Sequence, residues 1–409
     1  MRAGNWLPWV LAAGWAAALP FLFPGGGAVT ILNQMAITIV FALSYNMLLG
    51  QGGMLSFGHA VYMGLGGYGA VHLMRAIETD AWALPLPLVP LVAGLAGLAF
   101  AALAGLVSLR RAGTTFAMIS LGVAELAVAL AVILVTTFGG EGGISADRTM
   151  GPAVLGSQWF TAHEVYWLVA GWTFVSALLM YLFTKTPAGR LANAVRDNAQ
   201  RASFIGVSPM RARFVSFCMA GFFAGIAGGL LAINLEIVTD EALGLQTSGE
   251  ILLITFLGGT GHFAGPVLGA ILFTLVKTVL GLETPLWGLY TGLMFLALVM
   301  FAPGGLAGII AAHRAPAALG RIAWLVVPYL RTGVPALAAI IGVAGMMELA
   351  MHLRESGQGD NAITLFWLAM DASSIWSWAT FAALALIGGS LALRTWPEAR
   401  DAWEEASTQ

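Results

Sequence analysis

LPLVPLVAGLAGLAFAALAGLVSL (86–109) and TTFAMISLGVAELAVALAVILVTTF (114–138) stand on either side of Arg110 and Arg111. The first run contains no Asp, Glu, Lys or Arg, and the second contains only Glu125. A helix needs about 20 apolar residues to cross the hydrocarbon core of a bilayer. Both runs meet that length, and the two arginines between them are costly in lipid, so the pair reads as two membrane helices joined by a short turn. Further apolar runs lie at 6–23, 29–49, 54–74, 163–184, 214–237, 286–303, 333–352 and 373–393. A longer run, 249–281, is broken by Gly258, Gly259, Gly261, Gly265 and Pro266, and it divides into a short 249–260 segment and a full 263–281 segment. The expected fold is all-α: a polytopic transmembrane helical bundle of about eleven membrane segments, some broken by glycine. The first segment is preceded only by Arg2 and is longer than the apolar stretch of a signal peptide, so it reads as an anchor.

Composition supports this class. Of 409 residues, 59% are hydrophobic and 9% are charged, where a soluble domain has about a quarter charged. A net charge of −2 with two lysines, Lys185 and Lys277, argues against a nucleic-acid binder. The single cysteine, Cys218, excludes a disulfide scaffold. The apolar content excludes disorder. The 52 glycines suit helices packed at short distance.

Orientation follows from the basic residues. Lys185, Arg190, Arg196, Arg201, Arg211 and Arg213 lie within 185–213, with Asp197 the only acid there. Placing that loop in the cytoplasm and threading alternately puts Arg2, Arg110, Arg111, Arg314, Arg321, Arg331, Arg394 and Arg400 inside as well. The split is 14 inside against Arg75, Arg148, Lys277 and Arg354 outside. Both termini are then cytoplasmic, and 139–161 is the largest outside loop. Lys277 falls awkwardly near the outer end of its helix, where it would have to snorkel.

The 185–213 loop carries its own signals. Thr186 before Pro187 reads as an N-cap with proline in the first turn. Leu191, Val195, Ala199 and Ala202 follow at helical spacing, with Arg190, Arg196 and Arg201 projecting away. Gly206 ends the helix, and Ser208-Pro209 caps the next span. The loop is thus expected to be one short amphipathic helix, either a solvated connector or a helix offered to a cytoplasmic partner.

At this point the chain resembles the permease subunits of branched-chain amino acid ABC transporters. TPAGRLANAVRDNAQRASFIGVSPMRARF (186–214) is similar to their cytoplasmic loop. SYNMLLGQGGMLSFGHAVYMGLGGYGA (44–70) resembles their signature second-to-third span, and TTFAMISLGVAEL (114–126), SGEILLITFLGGTGHFAGPVLGA (248–270) and GLMFLALVMFAPGGLAGI (292–309) resemble three further segments in the same order. The match is nearest to the subunit type with the SFGHA form. The resemblance implies a multi-pass bacterial inner-membrane protein, not an enzyme. It also implies a second related permease subunit, two cytoplasmic ATP-binding subunits and a periplasmic solute-binding protein. It assigns ATPase coupling to the loop, at Pro187, Gly189, Arg190, Leu191, Val195, Arg196 and Gly206. The chain has no G-x-x-x-x-G-K-[ST] loop of its own. The family pattern covers about 28–310, so residues 1–310 are expected to form the permease domain. Residues 311–409 form an extra region with two apolar runs, an interfacial stretch at 317–330 containing Trp324 and Tyr329, and a charged tail from Arg394.

A solute path is expected where spans are interrupted, because freed backbone groups then line a cavity. Gly52-Gly53 precedes Ser56, Phe57 and His59. Gly258-Gly259 precedes His262 and Phe263, which makes a weak internal repeat. Glu125 lies mid-span, where an unpaired carboxylate costs ~2.5 kcal/mol or more. Ser56, His59, Glu125, Gly259 and His262 are therefore the candidate pathway residues, expected around a shared cavity. The competing readings are tight packing for the glycines, interhelical hydrogen bonding for Glu125 and satisfied packing for the histidines. No two histidines have the spacing of a metal site, so no metal is expected, and no nucleophile–base set is visible. The alternatives to an amino-acid importer are the same class of importer for a sugar, nucleoside or urea-like amide, or an ion-coupled secondary transporter.

Overall fold

The computed structural model describes residues 6–82, 84–111, 113–153, 157–355, 361–365 and 368–407. The expected inside placement of Arg2 lies outside these. The helices begin with α1 (Leu7–Leu22), α2 (Gly26–Asn46), α3 (Ala60–Glu78), α4 (Val89–Ser108), α5 (Thr114–Ile133) and the short α6 (Val135–Phe138). After them come α7 (Ala162–Lys185), α8 (Pro187–Asp197), α9 (Ala199–Phe204), α10 (Pro209–Leu235), α11 (Leu245–Gly258) and α12 (Gly265–Glu283). The last are α13 (Trp287–Phe301), α14 (Gly305–Ala312), α15 (Arg314–Ala318), α16 (Ile322–Glu355) and α17 (Ile375–Ser407). The strands are two short antiparallel pairs, β1 (Ile144–Ser145) with β2 (Ile237–Val238), and β3 (Ala362–Leu365) with β4 (Leu368–Asp371).

Eight helices among the described residues are long and apolar enough to span a membrane, and the bent pair α13 with α14–α15 makes a ninth candidate. α1 and α11 are apolar but shorter. The sequence count of about eleven also included α3, which is not among the eight. The reason is burial: α3 packs against α4 and α10, so its glycines and tyrosines meet protein and need not be lipid-compatible.

The chain divides into two compact units, residues 1–280 with 290–308 and residues 281–289 with 309–409. In the first, α10 is the central helix. Gly221, Gly225, Gly228 and Gly229 bring its backbone against α3 and α4, and a Cβ on Gly228 would run into the Met63 carbonyl oxygen. At the end of this unit away from the 185–213 loop, β1 and β2 pair Ile144 with Val238 and Ser145 with Ile237. Arg148 ties this end together: Nε donates to Trp159 O (2.8 Å), Nη1 donates to Ile233 O (3.2 Å), and Glu236 stands 3.8 Å away. Within the expected outside loop 139–161, residues 144–148 and Trp159 are thus tied to the end of α10 and to β2. Lys277, which looked misplaced, donates to Glu250 Oε2 at 2.7 Å, so an ion pair offsets the cost of both charges.

In the second unit, α16 and α17 form a long antiparallel hairpin. Gly342 lies against Phe381 and Ala385, and Gly388 lies against Pro335 and Ala339. The β3–β4 hairpin packs over its end around Leu349, Ala372 and Phe381. α16 begins within the 317–330 stretch, at Ile322, and α17 runs on past Arg394 to Ser407. A 33-residue helix is about 50 Å long, which exceeds a ~30 Å hydrocarbon core, so one helix serves as both span and charged extension.

Candidate functional site

The first glycine-rich interruption is a true break in a span. α2 widens into a π-turn over Met47–Gln51, and no α-helix resumes until Ala60. A non-helical backbone at this depth needs partners for its N–H groups. Side-chain hydroxyls supply them. Phe57 N donates to Ser120 Oγ of α5 (3.0 Å), Gly58 N donates to Ser56 Oγ (3.3 Å), and Ala60 N donates to Ser248 Oγ of α11 (3.1 Å). Tyr45 OH donates to Ser56 O at 2.8 Å. These bonds tie the break to α5 and α11. Ser120→Ala is expected to destabilise the chain by about 0.5–1.5 kcal/mol, because it removes the acceptor of the half-buried Phe57 N–H. Thermal unfolding in detergent measures this, and an unchanged midpoint would count against it.

His59 sits at the centre of this turn and is fully buried. Its ring stacks on Phe41 (centroids 5.5 Å apart), with the edges of Tyr45 and Tyr62 close by. Nε2 lies 3.0 Å from Ser44 Oγ, whose own proton goes to Phe41 O at 2.7 Å. A hydroxyl has one proton, so Nε2 carries the ring proton and donates to Ser44 Oγ. Ser56 is also fully buried.

The second break separates α11 from α12. Gly259 has φ +102°, and its Cα packs against the backbone of Gly304 and Gly305. His262 is exposed in the turn. The two breaks meet at the end of the unit that carries the loop, where a Cβ on Gly50 would lie 2.7 Å from Thr260 O.

The loop itself is two helices rather than the expected one. Thr186 Oγ1 accepts Gly189 N (3.2 Å) at the start of α8, with Pro187 in the first turn. Asn198 then leaves the helix for an extended conformation and caps α9 by accepting Arg201 N at 2.8 Å. A residue that hydrogen-bonds its own backbone competes with helix continuation, and that breaks the run. Gly206 takes φ +84°, and Ser208 caps α10. The apolar strip is also corrected. Val195 and Ala202, together with Ala192 and the glycine backbone at Gly189, are buried against this chain, with α8 packed on α7, α10 and the π-turn. Leu191, Arg190 and Pro187 are exposed. Arg196 does not project freely. Its Nη1 donates to Gly50 O, and its Nε and Nη2 hold Asp197 Oδ1 at 3.0 and 2.9 Å. Its stem also covers Gly53, whose φ is +64°.

Glu125 is exposed on α5 beside Gly122 and makes no hydrogen bond or ion pair with the described residues. The preceding residue, Ala124, is fully buried and packs on Gly58. Ser56 and His59 are enclosed while Glu125 and His262 are exposed, so this chain alone does not gather the four around one cavity. The hydroxyls of Ser44, Ser120 and Ser248 escaped sequence reasoning; their signal was lone serines inside apolar runs. A crevice at the β1–β2 end was also missed, about 880 Å³ lined by Arg75, Glu78, Asp147, Arg148 and Glu236. Hydrogen bonds from the Thr149 hydroxyl and N–H hold the Asp147 carboxyl below its ordinary range. Among the described residues no three His, Cys, Asp or Glu side chains stand together as a metal site requires.

A helical membrane protein with two spans broken at glycine, whose breaks meet under a capped loop, belongs to the class of transport proteins. The sequence model of the family described as "Branched-chain amino acid transport system / permease component" matches residues 27–303, and the chain belongs to that family. It is 27% identical over 320 residues to the high-affinity branched-chain amino acid transport system permease protein LivM of Escherichia coli (strain K12), covering 73% of this chain and 72% of that protein. It is 28% identical to the probable branched-chain amino acid transport permease protein LivM of Methanocaldococcus jannaschii, over 46% of this chain and 59% of that one. It is 34% identical to the autoinducer 2 import system permease protein LsrC of Klebsiella pneumoniae, over 35% and 44% of the two chains. No solved structure matches the chain.

Proposed function

We propose that this chain is the permease subunit of a bacterial inner-membrane ABC importer for branched-chain amino acids or similarly small polar solutes. In this reading residues 1–310 are the permease domain and 311–409 an addition to it. A second related permease completes the path, two cytoplasmic ATP-binding subunits drive it, and a periplasmic binding protein delivers the solute. Both termini and the 185–213 loop face the cytoplasm. The observation that carries the reading is the tie between the loop and the break. α8 is capped at its start and packed on the spans, and Arg196 joins it to Gly50. A push on the exposed side of α8, through Leu191, reaches the break between α2 and α3 without slack. Co-expression with the cognate ATP-binding subunits tests this: the permease should co-purify with them and alter their hydrolysis. The ligand retained by the cognate binding protein identifies the solute.

Glu125 has a place in the same reading. An exposed carboxylate mid-span, beside a glycine, suits a wet path completed by the second permease rather than a lipid face. Glu125→Gln is expected to lower uptake about tenfold, which is ~1.4 kcal/mol of barrier, at unchanged abundance and melting. Wild-type uptake would remove Glu125 from the path.

A further inference from the structure

A crevice of about 240 Å³ lies between the start of α1 and the end of α7. Trp6 and Trp9 form its α1 side. Along α7 the lining passes from Leu178 through Tyr181 and Leu182 to Lys185, and Arg190 of α8 joins it there. The crevice is therefore apolar toward the middle of the span and cationic where the span ends. The Trp9 ring lies 5.4 Å from the Tyr181 ring, and Lys185 Nζ sits 4.9 Å over that same tyrosine. Both cations are exposed, and neither is paired with a carboxylate among the described residues.

Lys185 is the last residue of a 24-residue span, which places it at headgroup level. Tryptophan and tyrosine favour that level, and basic pockets between helices there recognise anionic lipid heads. An acidic peptide would satisfy the cations but not the apolar half, which lies at the depth of acyl chains. We propose that this crevice holds one anionic phospholipid. Its phosphodiester lies between Lys185 and Arg190, and the upper part of one acyl chain lies along Trp9, Leu178 and Leu182. The site pins α1 to α7 and does not depend on which solute the chain carries.

The test uses the full chain in zwitterionic detergent micelles, titrated with phosphatidylglycerol. Phosphatidylcholine and inorganic phosphate are the control arms, and the melting midpoint is the readout. Phosphatidylglycerol should raise the midpoint, and neither control should. Lys185→Gln and Arg190→Gln should each shift the titration midpoint about fivefold toward higher lipid, and the pair about 25-fold. A photoactivatable phosphatidylglycerol should label peptides from 6–22 and 178–190 in the unmodified protein, a readout that survives if a variant misfolds. The proposal is overturned if phosphatidylcholine or phosphate alone gives the same rise, if the double variant titrates like the parent, or if the label falls elsewhere.

Discussion

Arg196→Glu is expected to reduce solute uptake by well over tenfold while leaving the permease inserted and bound to its ATP-binding subunits. Sequence spacing alone placed Arg196 on the solvent side of the loop helix, where its loss would weaken docking. Its geometry points inward: Nη1 donates to Gly50 O, and Nε and Nη2 hold Asp197. The bond from the charged guanidinium to Gly50 O contributes about 1.5–3 kcal/mol, the exposed pair with Asp197 adds at most about 1 kcal/mol, and a glutamate would set a negative charge against both acceptors. The sum exceeds the ~1.4 kcal/mol that one decade requires. Arg196→Lys keeps the charge but not the planar fork that serves two acceptors at once, so its uptake should fall between the two. Co-purification separates the two roles. Retained assembly with continued ATP hydrolysis and lost uptake marks Arg196 as the link between loop and break. Lost assembly marks it as a docking residue, and unchanged uptake removes it from coupling altogether. Leu191→Asp is the complementary variant. Leu191 is exposed on α8, so its change should weaken co-purification and leave the Gly50 contact intact.

The helical class and the position of most apolar segments were legible from run length, because a bilayer imposes that length on any chain that crosses it. The caps at Thr186 and Ser208 were legible for a similar local reason: a hydroxyl before a proline has few other uses. Residues whose role depends on a partner far along the chain were not legible. Arg196 and Gly50 are 146 positions apart, and nothing in either stretch announces the other. Ala60 and Ser248 are 188 apart. The Asn198 break was locally readable and was overridden by the apolar spacing of Leu191, Val195, Ala199 and Ala202. That spacing suggested one free face, yet Val195 and Ala202 are spent on the protein's own spans. His59 shows the limit most plainly. A histidine in a glycine-rich interruption invites a ligand role, and nothing in the local sequence announces the ring of Phe41 stacked on it or the Ser44 hydroxyl beside it.

Gly259→Ala is expected to cost more than about 4 kcal/mol and to remove most of the folded chain from the membrane. Two independent strains combine at this position. The backbone sits at φ +102°, where a Cβ is disfavoured by about 1–3 kcal/mol. The added carbon would also run into the carbonyl oxygen of Gly304, with the Gly305 Cα 3.4 Å away. A methyl has no rotamer to retreat into, and the obstacle is backbone on a neighbouring segment, so relief requires separating α11 from the 302–305 bend. Gly261→Ala is the matched control. It lies two residues on in the same turn, with nothing within 4 Å of its Cβ position, and should accumulate and melt like the parent. The amount of monodisperse protein after detergent extraction, together with its melting midpoint, reads both. The comparison also decides between the two readings of the glycine pair. Loss of folded protein in the first variant alone makes Gly259 a packing residue that holds the second break shut against its neighbour. Normal accumulation and melting with uptake abolished would instead return it to the solute path, because the only remaining consequence of the methyl would be on what passes by.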